Sequence, residues 1–172
     1  MARDYLGLDV HKVRTQYCLV DKDGCIVQEG SIATEDVATL VERPGMAVVL
    51  EATGHWCAAY DGLVAAGAEV KLAHPARVKA IASARVKTDK IDARILAHLL
   101  RADLIPEAWA PPQGVRDLRD LVRLRWGFIS DQTAAKNRIH ALLTRDGFRC
   151  EGRDLFGQRG RRWLARETLP LS

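Results

Sequence analysis

The sequence predicts an α/β fold, in which a mixed β-sheet with flanking helices is followed by a long helical segment. Three observations predict it. Short apolar runs of strand length alternate with helical patterns through residues 1–105. A Pro-rich linker at 106–114 then interrupts the pattern, and residues 115–147 carry apolar side chains at the 3–4 spacing of a helix. Residues 148–172 form an Arg- and Gly-rich connecting segment with too few apolar side chains for a core.

The first range begins with three strands. The stretches "YLGLDVHK" and "TQYCLVDKDGCIVQEGSI" have strand character, and Asp23-Gly24 is a hairpin signal. A helix is predicted at "TEDVATLVER", with Thr34 as its N-cap. A buried strand, a helix and another strand follow at "MAVVLEATG", "HWCAAYDGLVAAG" and "AEVKLAH". A strand meander that passes into a β/α alternation is typical of a mixed sheet with helices on its faces.

The next helix, "VKTDKIDARILAHLLR" at 86–101, contains acids where apolar residues are expected. At about 100° per residue, one side of it is polar and the opposite side is apolar. Asp92 falls in the middle of the apolar arc, and Asp89 lies at its margin one turn earlier. An isolated carboxylate in a core costs on the order of several kcal/mol. Asp92 therefore requires a compensating partner. The polar side comprises Lys90, Arg94, His98 and Arg101.

Two further acids lie at the ends of apolar strands. Asp9 closely follows the run "YLGL", and Glu51 ends the run "VVL". With Asp89 and Asp92, they make four carboxylates from three separate segments. Mutually repelling carboxylates are brought together mainly by a cation, and clusters of oxygen ligands suit Mg²⁺ or Mn²⁺. Because two such ions clamp the attacking and leaving oxygens of a phosphodiester, the pattern indicates phosphodiester chemistry.

Each acid also has an ordinary structural explanation. Asp9 can cap a turn, and Glu51 can pair with a Lys or Arg at the strand end. Asp89 follows Thr88 at a good helix start, where the helix dipole alone stabilises a carboxylate. No capping role applies to Asp92, so its alternative is an ion pair with a buried Arg.

Charge is distributed unevenly along the chain. Residues 1–115 contain 13 Lys and Arg against 15 Asp and Glu, whereas residues 116–172 contain 13 against 7. The basic second part indicates a polyanionic partner, and a solvated helix surface is the alternative.

The long helical pattern at 115–147 has an apolar seam. The seam indicates a long helix or an imperfect coiled coil, and hence a homodimer or higher homo-oligomer. Packing of the helix on its own domain is the alternative. The seam residues are Val115, Leu118, Val122, Ile129, Ile139 and Leu143.

Composition argues against a membrane protein and against a disulfide or zinc framework. No apolar run approaches the roughly 20 residues of a membrane span, and no signal region precedes the first strand. We therefore expect a cytoplasmic protein with no membrane partner. The cysteines form no C-x-x-C pair and have no His at ligand spacing, so we expect reduced, mostly buried thiols. They are Cys18, Cys25, Cys57 and Cys150.

Three motifs occur in the order "GLDVHK", "VVLEATG" and "KTDKIDARILAHLL". Together they resemble the N-terminal domain of the DEDD transposases, the insertion-sequence one-ten group of bridge-RNA-guided recombinases. The resemblance continues through "RLRWGFISDQTAAKNRIHALL" and "DLFGQRGRRWL". It implies a RuvC-like member of the RNase H-like superfamily that acts on DNA with a guide RNA. It also implies that the long helix is a coiled-coil segment used in assembly.

The resemblance further implies the roles of individual residues. Asp9, Glu51, Asp89 and Asp92 would form the catalytic tetrad and bind two Mg²⁺ ions, with Mn²⁺ as a possible substitute. Members of the family continue into a second domain with a nucleophilic Ser, but no such motif is recognisable here, and Ser172 is not assigned that role. Basic side chains would contact the phosphates of guide RNA or DNA: Lys12, Lys87, Arg119, Arg123, Lys136, Arg138, Arg161 and Arg162.

Two other functions share these features. A free-standing RuvC-like nuclease or Holliday-junction resolvase uses the same carboxylate chemistry without a second domain. A catalytically inert nucleic-acid-binding and dimerisation module predicts phosphate binding without Mg²⁺-dependent chemistry, and unchanged behaviour of Asp92→Ala. Trp109, Trp126 and Trp163 can stack on bases, with core or interface packing as the alternative.

Overall fold

The computed structural model describes residues 4–81, 89–150 and 154–167, and for residues 89–91 it describes the backbone alone. The chain divides into two compact units, Met1–Ala110 and Pro111–Ser172. Each unit is described by itself below.

The first unit is a five-stranded sheet with helices on its faces. In order along the sheet the strands are β3-β2-β1-β4-β5. β1 pairs antiparallel with β2 and parallel with β4, so the sheet is mixed, and the predicted α/β class is confirmed. The strands are β1 Tyr5–Val10, β2 Arg14–Val20, β3 Ile26–Ala33, β4 Ala47–Glu51 and β5 Glu69–Ala73. The helices are a 3-10 helix Thr34–Leu40, α1 Trp56–Ala65, α2 Pro75–Ile81 and α3 Asp89–Arg101.

The two faces of the sheet have separate cores, as the alternation of side chains along a strand requires. On one face, Leu8 of β1 and Leu50 of β4 pack with Leu63 of α1 in the larger core. On the other face, Val49 of β4 packs with Leu96 of α3. Residues of odd number in β1 and β4 therefore face α3.

Helix α3 packs unusually close to β1 because β1 contains Gly7. A Cβ at Gly7 would overlap the carbonyl oxygen of Ala93 and lie 2.5 Å from the amide nitrogen of Ala97. Tyr5, two residues earlier in β1, packs against the core that contains Leu100. The helix therefore runs antiparallel to β1, and its N-terminal end lies toward the C-terminal end of the strand.

The predicted hairpin between β2 and β3 is present. The Asp21 carboxylate accepts hydrogen bonds from the backbone amides of Asp23 (2.9 Å) and Cys25 (2.8 Å). Gly24 has a φ of 88°, which suits a residue without a side chain. The backbone hydrogen bond from Cys25 lowers the pKa of Asp21 most. Burial raises that pKa, and the hydrogen bonds from Asp23 and Gly24 and the charge of Lys22 lower it further.

One local expectation was wrong, the N-cap of the helix after β3. The helix is present as a 3-10 helix, and its N-cap is Ala33 without a side-chain bond. Thr34 is not the N-cap, because its hydroxyl donates to the carbonyl oxygen of His11 and also bonds the Thr15 hydroxyl, both at 2.9 Å. Within the Pro-rich stretch, Glu107 forms a β-bridge with Ala73 at the end of β5.

The second unit contains α4, Gln113–Arg145, and α5, Gln158–Leu164. The predicted long helix is thus confirmed, while the coiled coil and the dimer stay predictions. Phe156 packs against α4, with the Lys136 ammonium 5.4 Å from its ring centre and the His140 ring 5.5 Å away in an edge-on arrangement. Many apolar side chains of α4 are exposed, among them Leu118, Leu121, Leu124, Trp126 and Phe128.

None of the helices within the described ranges is both long and apolar enough to cross a membrane. All four cysteines are free thiols, but only Cys18 is buried, whereas Cys25 and Cys57 are exposed, so the expectation of mostly buried thiols was wrong.

Candidate functional site

Asp9 is a buried carboxylate on the α3 face of the sheet. It lies in β1, two residues after Gly7, and only 9% of the residue is exposed. The Nε2 atom of His11 lies 3.0 Å from the Asp9 carboxylate and is placed to donate a hydrogen bond to it. Asp9 thus places a carboxylate in an otherwise apolar strand, and His11, two residues later, is its hydrogen-bond partner.

Glu51 lies beside Asp9 on the neighbouring parallel strand. The register pairs Leu8 of β1 with Leu50 of β4, so Asp9 and Glu51 are the next residues along adjacent strands. Neighbouring strands lie about 4.8 Å apart. Glu51 is half-buried. It lies two residues after Val49 in β4 and is therefore on the same face of the sheet as Val49, the face toward α3. Two of the predicted acids therefore come from adjacent strand ends on one face.

Helix α3 brings the other two acids to the same end of the sheet. Asp92 precedes Ala93, the residue whose carbonyl group lies against Gly7, and it is half-buried. Asp89 is the first residue of α3, about one turn earlier. Its backbone is placed with the helix, but its side chain lies outside the described set. The antiparallel course of α3 over β1 carries both positions toward the end where Asp9 lies.

The donor chemistry suits a hard divalent cation, because all four predicted ligands are carboxylates. Among the side chains that the structure describes, however, no group of three or more His, Cys, Asp or Glu is arranged to hold a metal ion. The Asp89 carboxylate is not part of that set. The topology therefore supports the carboxylate site, and a complete ligand set remains a prediction.

The predicted nucleic-acid contacts of the first unit are two lysines. Lys12 is exposed and lies two residues after the end of β1, the strand that carries Asp9. Lys87 lies outside the described residues. An exposed cation next to a buried carboxylate is suitable for holding a phosphate near a metal site.

On α4, the predicted basic residues differ in their surroundings. Arg119 and Arg138 are exposed. Arg123 donates to the Asp120 carboxylate at 3.1 Å, across one helical turn. The Lys136 ammonium lies over the Phe156 ring and makes a cation–π contact within the second unit. An exposed pair such as Arg123–Asp120 contributes little to stability, and a phosphate can displace it.

The two predicted arginines of α5 have different environments. The Nε of Arg161 donates to the backbone carbonyl of Phe156 at 2.7 Å. Arg162 is exposed and lines a surface concavity. Of the two, Arg162 is the better placed for a ligand.

Sequence reasoning missed one ion pair that fixes α3. Arg94 donates from Nε and from a terminal nitrogen to the two carboxylate oxygens of Glu29, at 2.6 and 2.7 Å. The side-chain bond to Glu29 and its charge raise the pKa of Arg94. Because Glu29 is in β3, the pair ties the edge of the sheet to the helix that carries Asp92. The sequence places Arg94 on the polar side of the helix, but it does not indicate a partner 65 residues away.

Comparison with known proteins gives two matches. A curated protein of Sinorhizobium fredii (strain NBRC 101917 / NGR234), named "Putative transposase y4qE", is 34% identical over 80 residues. That alignment covers 46% of this chain and 20% of the relative, so the chain spans a small part of the relative's length. The family model of the DEDD transposases of IS110 type, described as "Transposase", matches residues 6–146 and so includes β1, β4, α3 and all of α4. Since that match spans most of the chain and contains the three segments that carry the four acids, the chain belongs to this transposase family.

Proposed function

We propose that this chain is the RuvC-like, RNase H-like part of a DNA transposase or recombinase, which cuts and transfers DNA strands with the help of Mg²⁺. One observation carries the proposal. Asp9 and Glu51 lie at adjacent ends of parallel strands, on the face over which α3 carries Asp89 and Asp92. Membership in the family supplies the class of reaction.

In this proposal, Asp9, Glu51, Asp89 and Asp92 hold two Mg²⁺ ions, with Mn²⁺ as a substitute. When bound, two such ions stabilise the attacking and leaving oxygens of a phosphodiester. His11 orients the Asp9 carboxylate through its hydrogen bond. Lys12 is exposed beside the site and binds a phosphate of the DNA backbone.

Thermal unfolding with and without Mg²⁺ tests the metal site. A ligand at 100 times its Kd stabilises the folded state by about 2.7 kcal/mol, which for a unit the size of Met1–Ala110 raises the Tm by roughly 10 °C. The double variant Asp9→Asn and Glu51→Gln should abolish the rise. The matched control is Asp36→Asn, which removes one exposed carboxylate of the 3-10 helix and should leave the rise unchanged. A wild-type Tm that does not respond to Mg²⁺ or Mn²⁺ would contradict the proposal.

The second unit is proposed to bind nucleic acid and to assemble the protein. Exposed Arg119 and Arg138 on α4, with Arg123, contact phosphates of DNA and of a guide RNA. Such binding weakens steeply as salt rises, because counterions are released from the nucleic acid. Affinity for a DNA duplex should therefore fall between 50 and 200 mM salt, and three phosphate contacts, at a log–log slope of about −0.9 each, predict a loss of roughly 40-fold. An affinity that is independent of salt would contradict this part.

Assembly is proposed to use the apolar seam of α4. Val122 and Ile129 belong to the seam and are exposed in the single chain. Replacing both with Glu places charges at the centre of a coiled coil and should give a monomer in sedimentation or light scattering. Leu124→Glu is the control, because Leu124 is exposed on the same helix but outside the seam. A wild-type monomer at micromolar concentration would show that the helix does not assemble the chain.

One observation favours the inert binding module as the second candidate. Exposed arginines on α4, Arg119 and Arg138, suit phosphate binding that needs no metal. That function predicts nucleic-acid binding without a Tm response to Mg²⁺, and Asp92→Ala would then leave DNA binding and stability in Mg²⁺ unchanged. The thermal unfolding experiment above therefore separates the two.

A further inference from the structure

The short helix α5 presents a basic face that the carboxylate site does not use. Arg159, Arg162 and Trp163 are spaced at i, i+3 and i+4 in α5, which places them on one side of the helix, and Arg166 follows two residues after the helix ends. All four line a concavity of about 630 Å³ in the second unit. Cys150, Gly160 and Glu167 complete the described lining.

Close packing at Gly160 holds α5 against the residues that precede it. A Cβ at Gly160 would overlap the carbonyl oxygen of Leu155 and lie 2.5 Å from that of Asp154. The helix backbone therefore rests directly on residues 154–155. Arg161 donates from Nε to the Phe156 carbonyl. These contacts fix the position of α5 in the second unit, where Gly160 borders the concavity together with Arg162.

Among the described lining residues of the concavity, positive charges outnumber negative ones. Its described lining contains three guanidinium groups and one carboxylate, that of Glu167. In residues 89–150 and 154–167, no ion pair is formed by Arg159, Arg162 or Arg166. Guanidinium groups bind phosphate oxygens through paired N–H donors. The volume lies within the range of small-ligand sites, on the order of 300–1,000 Å³.

Trp163 distinguishes a nucleic acid from other anions. Its ring is half-buried in the lining, so one part is held by the protein and another part borders the concavity. Unpaired bases stack on such rings at about 1–3 kcal/mol per base, whereas bases inside a duplex already stack on one another. An acidic peptide would use the arginines without requiring an indole.

We propose that this concavity binds a single-stranded segment of nucleic acid, with phosphates on Arg159, Arg162 and Arg166 and an unpaired base stacked on Trp163. The inference rests on the proposed nucleic-acid binding of the second unit and deepens it. The exposed arginines of α4 contact the backbone of any nucleic acid, but the α5 concavity requires an unpaired base.

Fluorescence anisotropy on the full chain tests the proposal with labelled oligo-dT, oligo-U and a mixed-sequence duplex as probes. Trp163→Leu should weaken single-strand binding roughly tenfold, the loss of one stacked base, and change duplex binding less than twofold. Trp163→Phe keeps an aromatic face and should recover part of the loss. If Trp163→Leu does not fold, the comparison of Trp163→Phe with wild type carries the test.

Arg162→Gln should weaken single-strand binding about five- to tenfold, since it removes a charge-assisted contact. Arg149→Gln is the matched control, because Arg149 is exposed, carries the same charge and does not line the concavity. It should change single-strand binding less than twofold. Comparison of oligo-dT with oligo-U shows whether DNA or RNA is the preferred occupant, and binding of either one supports the proposal.

Three results would overturn the inference. In the first, the wild type binds the single strand and neither Trp163→Leu nor Arg162→Gln weakens that binding. This result would refute the α5 site and leave the proposed nucleic-acid binding of the second unit standing. In the second, Trp163→Leu weakens duplex and single-strand binding equally. In the third, a polyglutamate peptide binds as tightly as oligo-dT and depends on the same two residues. A wild type that binds none of the nucleic acids at low salt would refute the proposed function itself.

Discussion

Replacing Gly7 with Ala should separate α3 from the sheet. The added Cβ would overlap the Ala93 carbonyl oxygen and lie 2.5 Å from the Ala97 amide nitrogen, whereas ordinary contacts begin at 3.4 Å. The nitrogen would have to retreat by about 0.9 Å, and both neighbours are backbone atoms that cannot rotate away. Overpacking of this kind costs about 1–3 kcal/mol. We expect the upper end, about 3 kcal/mol, which corresponds to a fall in Tm of roughly 10 °C.

Two measurements check this prediction. Urea unfolding gives the loss of stability, and a thiol reagent reports on the docking of α3. Cys18 is fully buried in the cluster that contains Ala93 and Ala97, whereas Cys25 is exposed. Burial raises the pKa of the Cys18 thiol, and the charge of Glu29 raises it further while that of Arg94 lowers it. Cys18 should therefore stay unmodified in the wild type and react faster in Gly7→Ala.

The matched control is Gly62→Ala in α1. A Cβ at Gly62 would make an ordinary 3.8 Å contact with Ala38, and Ala is the better helix former, by about 1 kcal/mol. The control should therefore keep or raise the Tm. Wild-type stability and unchanged protection of Cys18 in Gly7→Ala would refute the close packing of α3 on β1.

Two further predictions concern the hairpin and the edge of the sheet. Glu29→Gln should lower the Tm by less than Gly7→Ala does, because it removes only the carboxylate that accepts two hydrogen bonds from Arg94. Exchange of the two charges, in the double variant Glu29→Arg with Arg94→Glu, should recover part of the lost stability. No recovery would show that the charges of the pair do not contribute. The folded-state pKa of Asp21 is lowered, so its contribution to stability is present above the ordinary carboxyl pKa near pH 4 and is lost as the pH falls through the lower folded value. Asp21→Asn should therefore show a smaller fall in Tm between pH 5 and pH 3 than the wild type, and an equal fall would contradict the assignment.

Much of the sheet could be predicted from local patterns. The alternation of Leu6, Gly7, Leu8 and Asp9 predicts a strand, and the Asp23-Gly24 signal predicts the hairpin. These features depend on neighbours in the sequence. The N-cap expected at Thr34 was wrong for the opposite reason, because the Thr34 hydroxyl bonds groups about 20 residues earlier.

The site shows the same division between local and distant information. Asp9 and Glu51 could be chosen because each carboxylate interrupts an apolar run. That they lie on adjacent strands follows from the order of the sheet, which no local pattern contains. The role of Gly7 likewise depends on where α3 crosses the strand, and the pair of Glu29 with Arg94 depends on the edge of the sheet.

The alternation along β1 has a consequence for folding. A slip of β1 by one residue would turn every side chain to the other face of the sheet. Asp9 would then enter the core that holds Leu50 and Leu63, at a cost on the order of several kcal/mol for an unpaired carboxylate, while Leu8 would move to the acidic end. The carboxylate proposed to bind metal thus also makes the misregistered strand unfavourable, and insertions or deletions before Asp9 in β1 should be among the least tolerated changes in the chain.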